Sequence, residues 1–269
     1  MEYINIEEEI NKSNSTLLKK LPHFAVRLIA VIIKQDEINH ILNKYSDSEG
    51  VDFLRDLLKE LNIKINIEGK ENLPENGKCF FVANHPFGLV DGLILTNIVA
   101  EKYGDFKAIG NDLFMLVPQL RPLIAATNVF GANSRDYVVE LEKLLESDTP
   151  VTHFPAGIVS RIKSGRIRDE KWQKSFISKA VSHKRDIVPF YFYGRNSILF
   201  YSVFLFRKTF GIKTNLELAL LPHEIFNKKN KTIKVKIGKP FPYKMFNKSM
   251  SNFEWAQYLQ GQLYNLKRH

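Results

Sequence analysis

What most constrains this chain is a repeated change of hydrophobic period. Ile63, Ile65 and Ile67 alternate with Lys64, Asn66 and Glu68, the pattern of a half-buried strand. From there, short apolar runs at 78–83, 106–110, 127–130, 151–154 and 187–193 take turns with helix-like stretches. Those stretches cover 93–103 and 113–120, a segment carrying Val138, Leu141 and Leu145, and a face made of Trp172, Phe176 and Ala180. Residues 232–237 alternate again, and Ser251 with Glu254 forms a capping box that opens a last helix. Strands separated by helices need crossover connections. The pattern therefore predicts an α/β fold, a mainly parallel sheet flanked by helices. Earlier in the chain the spacing is helical only: Leu21, Ala25, Leu28 and Ile32, then Ile38, Ile41, Leu42 and Tyr45, then Val51, Leu54, Leu58 and Leu61. The expected organisation is a helical N-terminal extension over 1–60 and an α/β domain over 61–269.

Charge narrows the partners. Lys plus Arg number 39 and Asp plus Glu 29, a formal net charge of +10. Such an excess calls for an anionic partner: a phosphate-bearing substrate, a membrane surface or nucleic acid. Residues 161–185 hold many of these cations, and Lys228, Lys229, Lys231, Lys234, Lys236 and Lys239 form a second cluster. The chain has no zinc-finger spacing, aromatic RNA-binding signature or basic zipper, so nucleic acid is not expected. A single cysteine, Cys79, excludes an intrachain disulfide and a cysteine-based zinc site, and no metal is expected. The N-terminus is acidic where a secretory signal is basic, and the apolar stretch 24–33 is far short of the about 20 residues that span a bilayer. The expectation is a cytoplasmic protein that meets membranes only peripherally, at their inner face.

In open α/β sheets, ligands bind beyond the carboxyl ends of strands. The segment Asn84-His85-Pro86-Phe87-Gly88-Leu89-Val90-Asp91 leaves a strand, turns and enters a helix. Two readings of Asp91 compete there: a cap for the helix, or a carboxylate that fixes the tautomer of His85. In the second, the other imidazole nitrogen is free to take a proton from a hydroxyl, work suited to a group that titrates near about 6.5. A second loop, Phe154-Pro155-Ala156-Gly157-Ile158-Val159-Ser160-Arg161, offers backbone N–H groups, the Ser160 hydroxyl and the Arg161 guanidinium to an anion. Arg135 stands at a helix start, where phosphate is favoured. Ser197–Phe206 is apolar almost all round, which suits core packing more than a membrane surface, or the lining of a tunnel. His153 reads as a packed strand residue and Cys79 as a buried thiol.

Taken together, Asn84-His85 with Asp91, Arg135, Phe154-Pro155 with Gly157, and Val188-Pro189 running to Gly194 come in an order and at intervals that resemble the lysophospholipid and glycerol-3-phosphate acyltransferase superfamily. The likeness covers roughly 60–240 and looks closest to the bacterial branch labelled hemolysin-like acyltransferases, which carries a His-Pro-x-Gly-x-x-Asp-Gly turn and a later Gly-Arg-Asn-Ser, here Gly194 to Ser197. The resemblance implies an O-acyltransferase that moves a fatty acyl group from an acyl thioester to the hydroxyl of a lysophospholipid, lysophosphatidate or lyso-aminolipid. His85 would be the general base and Asp91 its partner; Arg135, Gly157, Ser160 and Arg161 would bind substrate. No cofactor is implied: the thioester of acyl carrier protein or coenzyme A is a co-substrate. The implied partners are that donor, the lipid acceptor, an anionic membrane surface and acyl carrier protein. Two departures stand out. His and Asp are one residue further apart than is usual in the superfamily. The third block also lacks its usual Glu, with Ala156 after the proline and Ile158 where the branch places an acidic residue. The alternative function is a non-catalytic peripheral lipid-binding protein of the same fold.

Overall fold

The computed structural model describes residues 3–12, 19–111, 114–115, 117–127, 135–163, 165–212 and 215–268. Its strands are β1 (Lys64–Glu68), β2 (Cys79–Ala83), β3 (Lys107–Asn111), β4 (Ile124–Thr127), β5 (Val151–His153), β6 (Arg161–Lys163), β7 (Arg166–Arg168), β8 (Asp186–Phe192) and β9 (Thr232–Ile237). A seven-stranded sheet runs β1-β9-β8-β2-β5-β3-β4, and every pairing in it is parallel except β8 with β9. The α/β fold with a mainly parallel sheet is therefore as expected. The antiparallel β6–β7 hairpin has no counterpart in the sequence reading.

Burial explains the two strand patterns. In β2, Phe81 and Ala83 enter one core cluster while Phe80 and Val82 enter the cluster on the opposite face. In β8, Val188 and Phe190 face the first side and Ile187 and Tyr191 the second. Both faces are covered, so both strands read as continuous apolar runs. In β9, by contrast, only Ile233, Val235 and Ile237 join the core, and its sequence alternates. Cys79 is buried.

The helices are α1 (Ile6–Lys12), α2 (His23–Ile32), α3 (Gln35–Lys44), α4 (Gly50–Glu60), α5 (Leu89–Tyr103), α6 (Arg135–Glu146), α7 (Ser175–Ser182), α8 (Ile198–Thr209), α9 (Leu221–Phe226) and α10 (Asn252–Asn265). The capping box at α10 is present: Glu254 N–H donates to Ser251 Oγ at 3.3 Å, and Ser251 N–H donates to Glu254 Oε2 at 2.7 Å. The N-terminal helices share the sheet's core, since Leu54, Leu58 and Leu61 pack in the same cluster as Phe81, Ile94 and Val188. Three elements differ from expectation. Trp172, expected on a helix face with Phe176 and Ala180, lies ahead of α7, which begins at Ser175. The strand expected at 127–130 lies at Ile124–Thr127, where Ile124 pairs with Ala108, and 128–130 fall outside the described residues. Of the helix expected at 113–120, residues 113 and 116 fall outside the described residues, and Pro118–Leu123 form a 3-10 turn, with Pro122 unable to donate in a longer helix.

Candidate active site

Strands β2, β5 and β8 are parallel neighbours, so their carboxyl ends open on one edge of the sheet. At that edge Asn84 continues the ladder with its side chain. Its Nδ2 donates to Phe192 O at 3.0 Å, and Phe192 N–H donates to Asn84 Oδ1 at 2.7 Å. The next residue, His85, is held at both backbone atoms: its N–H donates to Asp169 Oδ1 at 3.1 Å, and its carbonyl accepts from Ser160 N–H at 2.8 Å. Its ring stacks on Phe154, with centroids 4.0 Å apart and planes 25° apart.

His85 Nδ1 lies 3.0 Å from Asp91 Oδ1. The contact is at ion-pair distance but off the N–H direction, so Nδ1 has no aligned hydrogen bond. Such contacts in unliganded sites commonly tighten when substrate binds. Asp91 is fully buried in the first turn of α5 and also receives backbone donors: Phe87 N–H at 2.9 Å and Gly88 N–H at 3.3 Å on Oδ2, and Gly92 N–H at 2.9 Å on Oδ1. Asp91 thus caps the helix start through these three N–H groups, and its Oδ1 also lies at ion-pair distance from the imidazole. The turn depends on Gly88, whose φ is +86° and where a Cβ would come within 2.7 Å of the Leu221 side chain.

His85 lines a cavity of about 310 Å³. Its walls are almost wholly apolar: Ile38 and Leu42 from α3, Phe53 and Leu57 from α4, Leu89 and Leu93 from α5, Ala108 from β3, and Ile225 and Phe226 from α9. The N-terminal helices therefore close one side of it. Ser197–Phe206, expected as core or tunnel lining, contributes nothing to these walls.

The other expected binding residues divide. Gly157 lines the cavity, in a turn closed by its N–H on Phe154 O at 2.9 Å. Ser160 is buried behind His85, its N–H on the His85 carbonyl and its hydroxyl donating to Asp169 Oδ1 at 2.5 Å. Arg161 does not reach the cavity. It is buried on the far side of the loop with its Nε donating to Glu217 Oε1 at 3.1 Å and its guanidinium over the rings of Phe200 and Phe204. A guanidinium so enclosed needs a fixed counter-ion, and Glu217, far along the chain, supplies it. Arg135 begins α6, and its side chain lies outside the described residues. Ala156 packs into the core cluster under the second sheet face, so the position of the missing Glu is not open to a ligand.

Sequence reasoning missed Asp169. This buried carboxyl joins His85 N–H, the Ser160 hydroxyl and Trp172 Nε1–H (3.1 Å), and burial raises its pKa above the ordinary value. Its partner His85 is remote in sequence, and it sits inside a basic run, so nothing local marks it. Burial, with His85 adding to it, pushes the pKa of His153 down to about 4. Below its unfolded value of about 6.5, folded His153 binds fewer protons than the unfolded chain. Its contribution to stability is whole above about pH 6.5 and is lost as pH falls toward about 4, on the order of 3 kcal/mol at most. Asp169 works with the opposite sign, since acid relieves its burial. Urea titrations at pH 7 and pH 4.5 should therefore show a smaller acid loss for His153→Phe than for the parent. Equal losses would show that His153 does not govern the acid limb.

The sequence model of the family described as Acyltransferase matches residues 9–269. A protein of Phocaeicola vulgatus named lyso-glycine lipid O-acyltransferase is 39% identical over 264 residues, 98% of this chain and 95% of that protein. A protein of the same name from Bacteroides thetaiotaomicron is also 39% identical over 264 residues, covering 98% and 97%. Among solved structures, the 1-acyl-sn-glycerophosphate acyltransferase of Thermotoga maritima superposes with a TM-score of 0.50 over 90% of this chain and 96% of that one, at 16% identity, a likeness of fold alone.

Proposed function

The chain belongs to the acyltransferase family, and on that premise we propose that it acylates the hydroxyl of a lyso-aminolipid, a lyso-glycine lipid in the first instance, from an acyl thioester. The observation that carries this is the His85–Asp91 pair at an apolar cavity, in a chain alike over its whole length to two lyso-glycine lipid O-acyltransferases. A long alkyl chain fits walls of Ile, Leu and Phe, and the His85–Asp91 pair beside them supports a proton-transfer role.

The reaction runs as follows. His85 Nε2, unbound by any described residue, takes the proton of the acceptor hydroxyl as its oxygen bonds to the thioester carbonyl carbon. Asp91 steadies the imidazolium through Nδ1. The tetrahedral intermediate collapses, the C–S bond breaks, and His85 returns the proton to the departing thiolate. Acyl carrier protein or coenzyme A enters as co-substrate, and no resident cofactor takes part. No described helix is long and apolar enough to cross a membrane. In this reading the enzyme meets its lipid from the surface, at the inner face of the cell membrane, which the net charge of +10 supports.

Thioester consumption with purified protein tests this. Acylated product is expected with a lyso-glycine lipid acceptor and at most about a tenth of that rate with lysophosphatidate. Equal rates would remove the amino-acid headgroup from the reading. Lipid binding with no thioester consumed, from either carrier, would leave the non-catalytic lipid-binding function instead.

A further inference from the structure

Helix α8 is buried on one side only. Phe200, Tyr201 and Phe204 face the core, and Phe200 and Tyr201 cluster there with Val159 and Leu220. At 100° per residue, Ile198, Leu199, Leu205, Phe206 and Phe210 fall on the other side, and all are exposed, Ile198 by 81% and Phe210 by 68%. The rings of Phe206 and Phe210 stand against each other with centroids 4.5 Å apart. Beside it, α2 has no buried residue at all and exposes Phe24, Leu28 and Val31. The two helices meet around α9: Ile32 packs on the Phe200–Tyr201 cluster, His223 Nδ1 lies 3.0 Å from Ile32 O, and Glu224 accepts from Ser197 N–H at 2.9 Å. Since α9 also supplies cavity wall, this apolar face adjoins the His85 cavity.

We propose that α8, with α2 alongside, is a surface that inserts into an anionic lipid bilayer. The inference rests on the lipid-acylating reading above. Contiguous exposed aromatic and aliphatic side chains of this kind mark an interaction surface. Charge decides the partner. Neither helix contains an acidic residue, though Glu7 of α1 lies 3.7 Å from His23 Nε2 at the start of α2, while Arg27, Arg195 and Lys208 are exposed at the edges and form no ion pair with a described residue. A second copy docked through the same two helices would bring further cations and no carboxylate from either helix to pair them, whereas anionic headgroups complement all three. A helix lying in the interface buries its apolar side about 5–10 Å deep and keeps its cations at headgroup level. A lipid acceptor would then pass from the bilayer over α9 to His85 without crossing water.

Co-sedimentation of the full chain with vesicles of phosphatidylcholine plus phosphatidylglycerol tests the proposal, with pure phosphatidylcholine vesicles for comparison. Binding is expected to favour the anionic vesicles, to weaken as salt rises, and to fall roughly tenfold or more in Leu205→Ser/Phe206→Ser/Phe210→Ser. These side chains are exposed, so the variant should melt with the parent. Vesicle binding unchanged by the triple substitution would overturn the assignment, as would a parent that elutes as a dimer split by it. Thioester consumption with a micelle-dispersed acceptor keeps the two readings apart. There the variant is expected to match the parent, and a parent inactive on every acceptor would sink the acylation reading while the vesicle result still judged the surface.

Discussion

His85→Ala should lower turnover by about 10²–10⁴-fold, the loss typical of removing a positioned general base, while the unfolding midpoint moves little. His85 lies just past a strand end, and its placement there does not depend on its own ring. Its backbone is fixed by Asp169 and Ser160, and Asn84 ties the strand to β8. The ring's contribution to folding is its stack on Phe154, on the order of 1 kcal/mol. Asp91→Ala should behave differently, because one carboxylate touches both the imidazole and the helix start. It removes the partner of Nδ1 and also frees the Phe87, Gly88 and Gly92 N–H groups at the start of α5, a cap worth about 0.5–2 kcal/mol. Activity and stability should fall together there and separate at His85. Near-parental turnover by His85→Ala, measured as thioester consumed per folded protein, would refute the base assignment.

The His85–Asp91 pair was legible because both partners lie in one turn, so a short spacing carries the whole geometry. The sheet was legible because burial writes itself into sequence period: strands covered on both faces, such as β2 and β8, are continuously apolar, and β9 alternates. Charged residues misled where their partners were distant. Arg161 reads as a ligand for an anion, yet its counter-ion Glu217 is supplied from beyond α8. The hairpin β6–β7 escaped notice because its strands are three residues long and mostly basic, Arg-Ile-Lys and Arg-Ile-Arg, stabilised by Ile162 and Ile167 packing on α8's buried side. The apolar faces of α3 and α4 announce that they are buried but not what they cover, so their place in the cavity wall needed the tertiary structure. In α8 the composition was ambiguous in the same way: a helix apolar all round is more often core than a membrane surface, and here one side is core while the other is exposed.

Glu217→Ala should destabilise the protein by about 3–5 kcal/mol, the loss expected when one member of a buried ionic cluster is removed. Glu217 is fully buried and serves two arginines. Arg161 Nε donates to its Oε1 at 3.1 Å, and Arg207 donates from Nε to Oε2 at 2.9 Å and from Nη2 to Oε1 at 3.2 Å. Burial already lowers the pKa of Arg161, with Glu217 the main influence opposing it. Without that carboxylate two guanidinium charges remain enclosed against Phe200 and Phe204, with cation–π contact as their residual compensation. Domains have only about 5–15 kcal/mol of stability in total, so the change should be plain in urea unfolding followed by circular dichroism. It should also reach the active site. Arg161 directly follows Ser160, whose N–H holds the His85 carbonyl, and Arg207 fastens α8 to the same cluster. Loosening the 154–161 loop should lower turnover in the fraction that stays folded. Restoring neutrality with Arg161→Met/Arg207→Met/Glu217→Leu should recover most of the stability, because it is the unpaired charge that is costly and an apolar trio satisfies the site as well as the ionic one. If Glu217→Ala unfolds at the parental urea concentration, the arginines find other partners or water, and the cluster does not hold the loop.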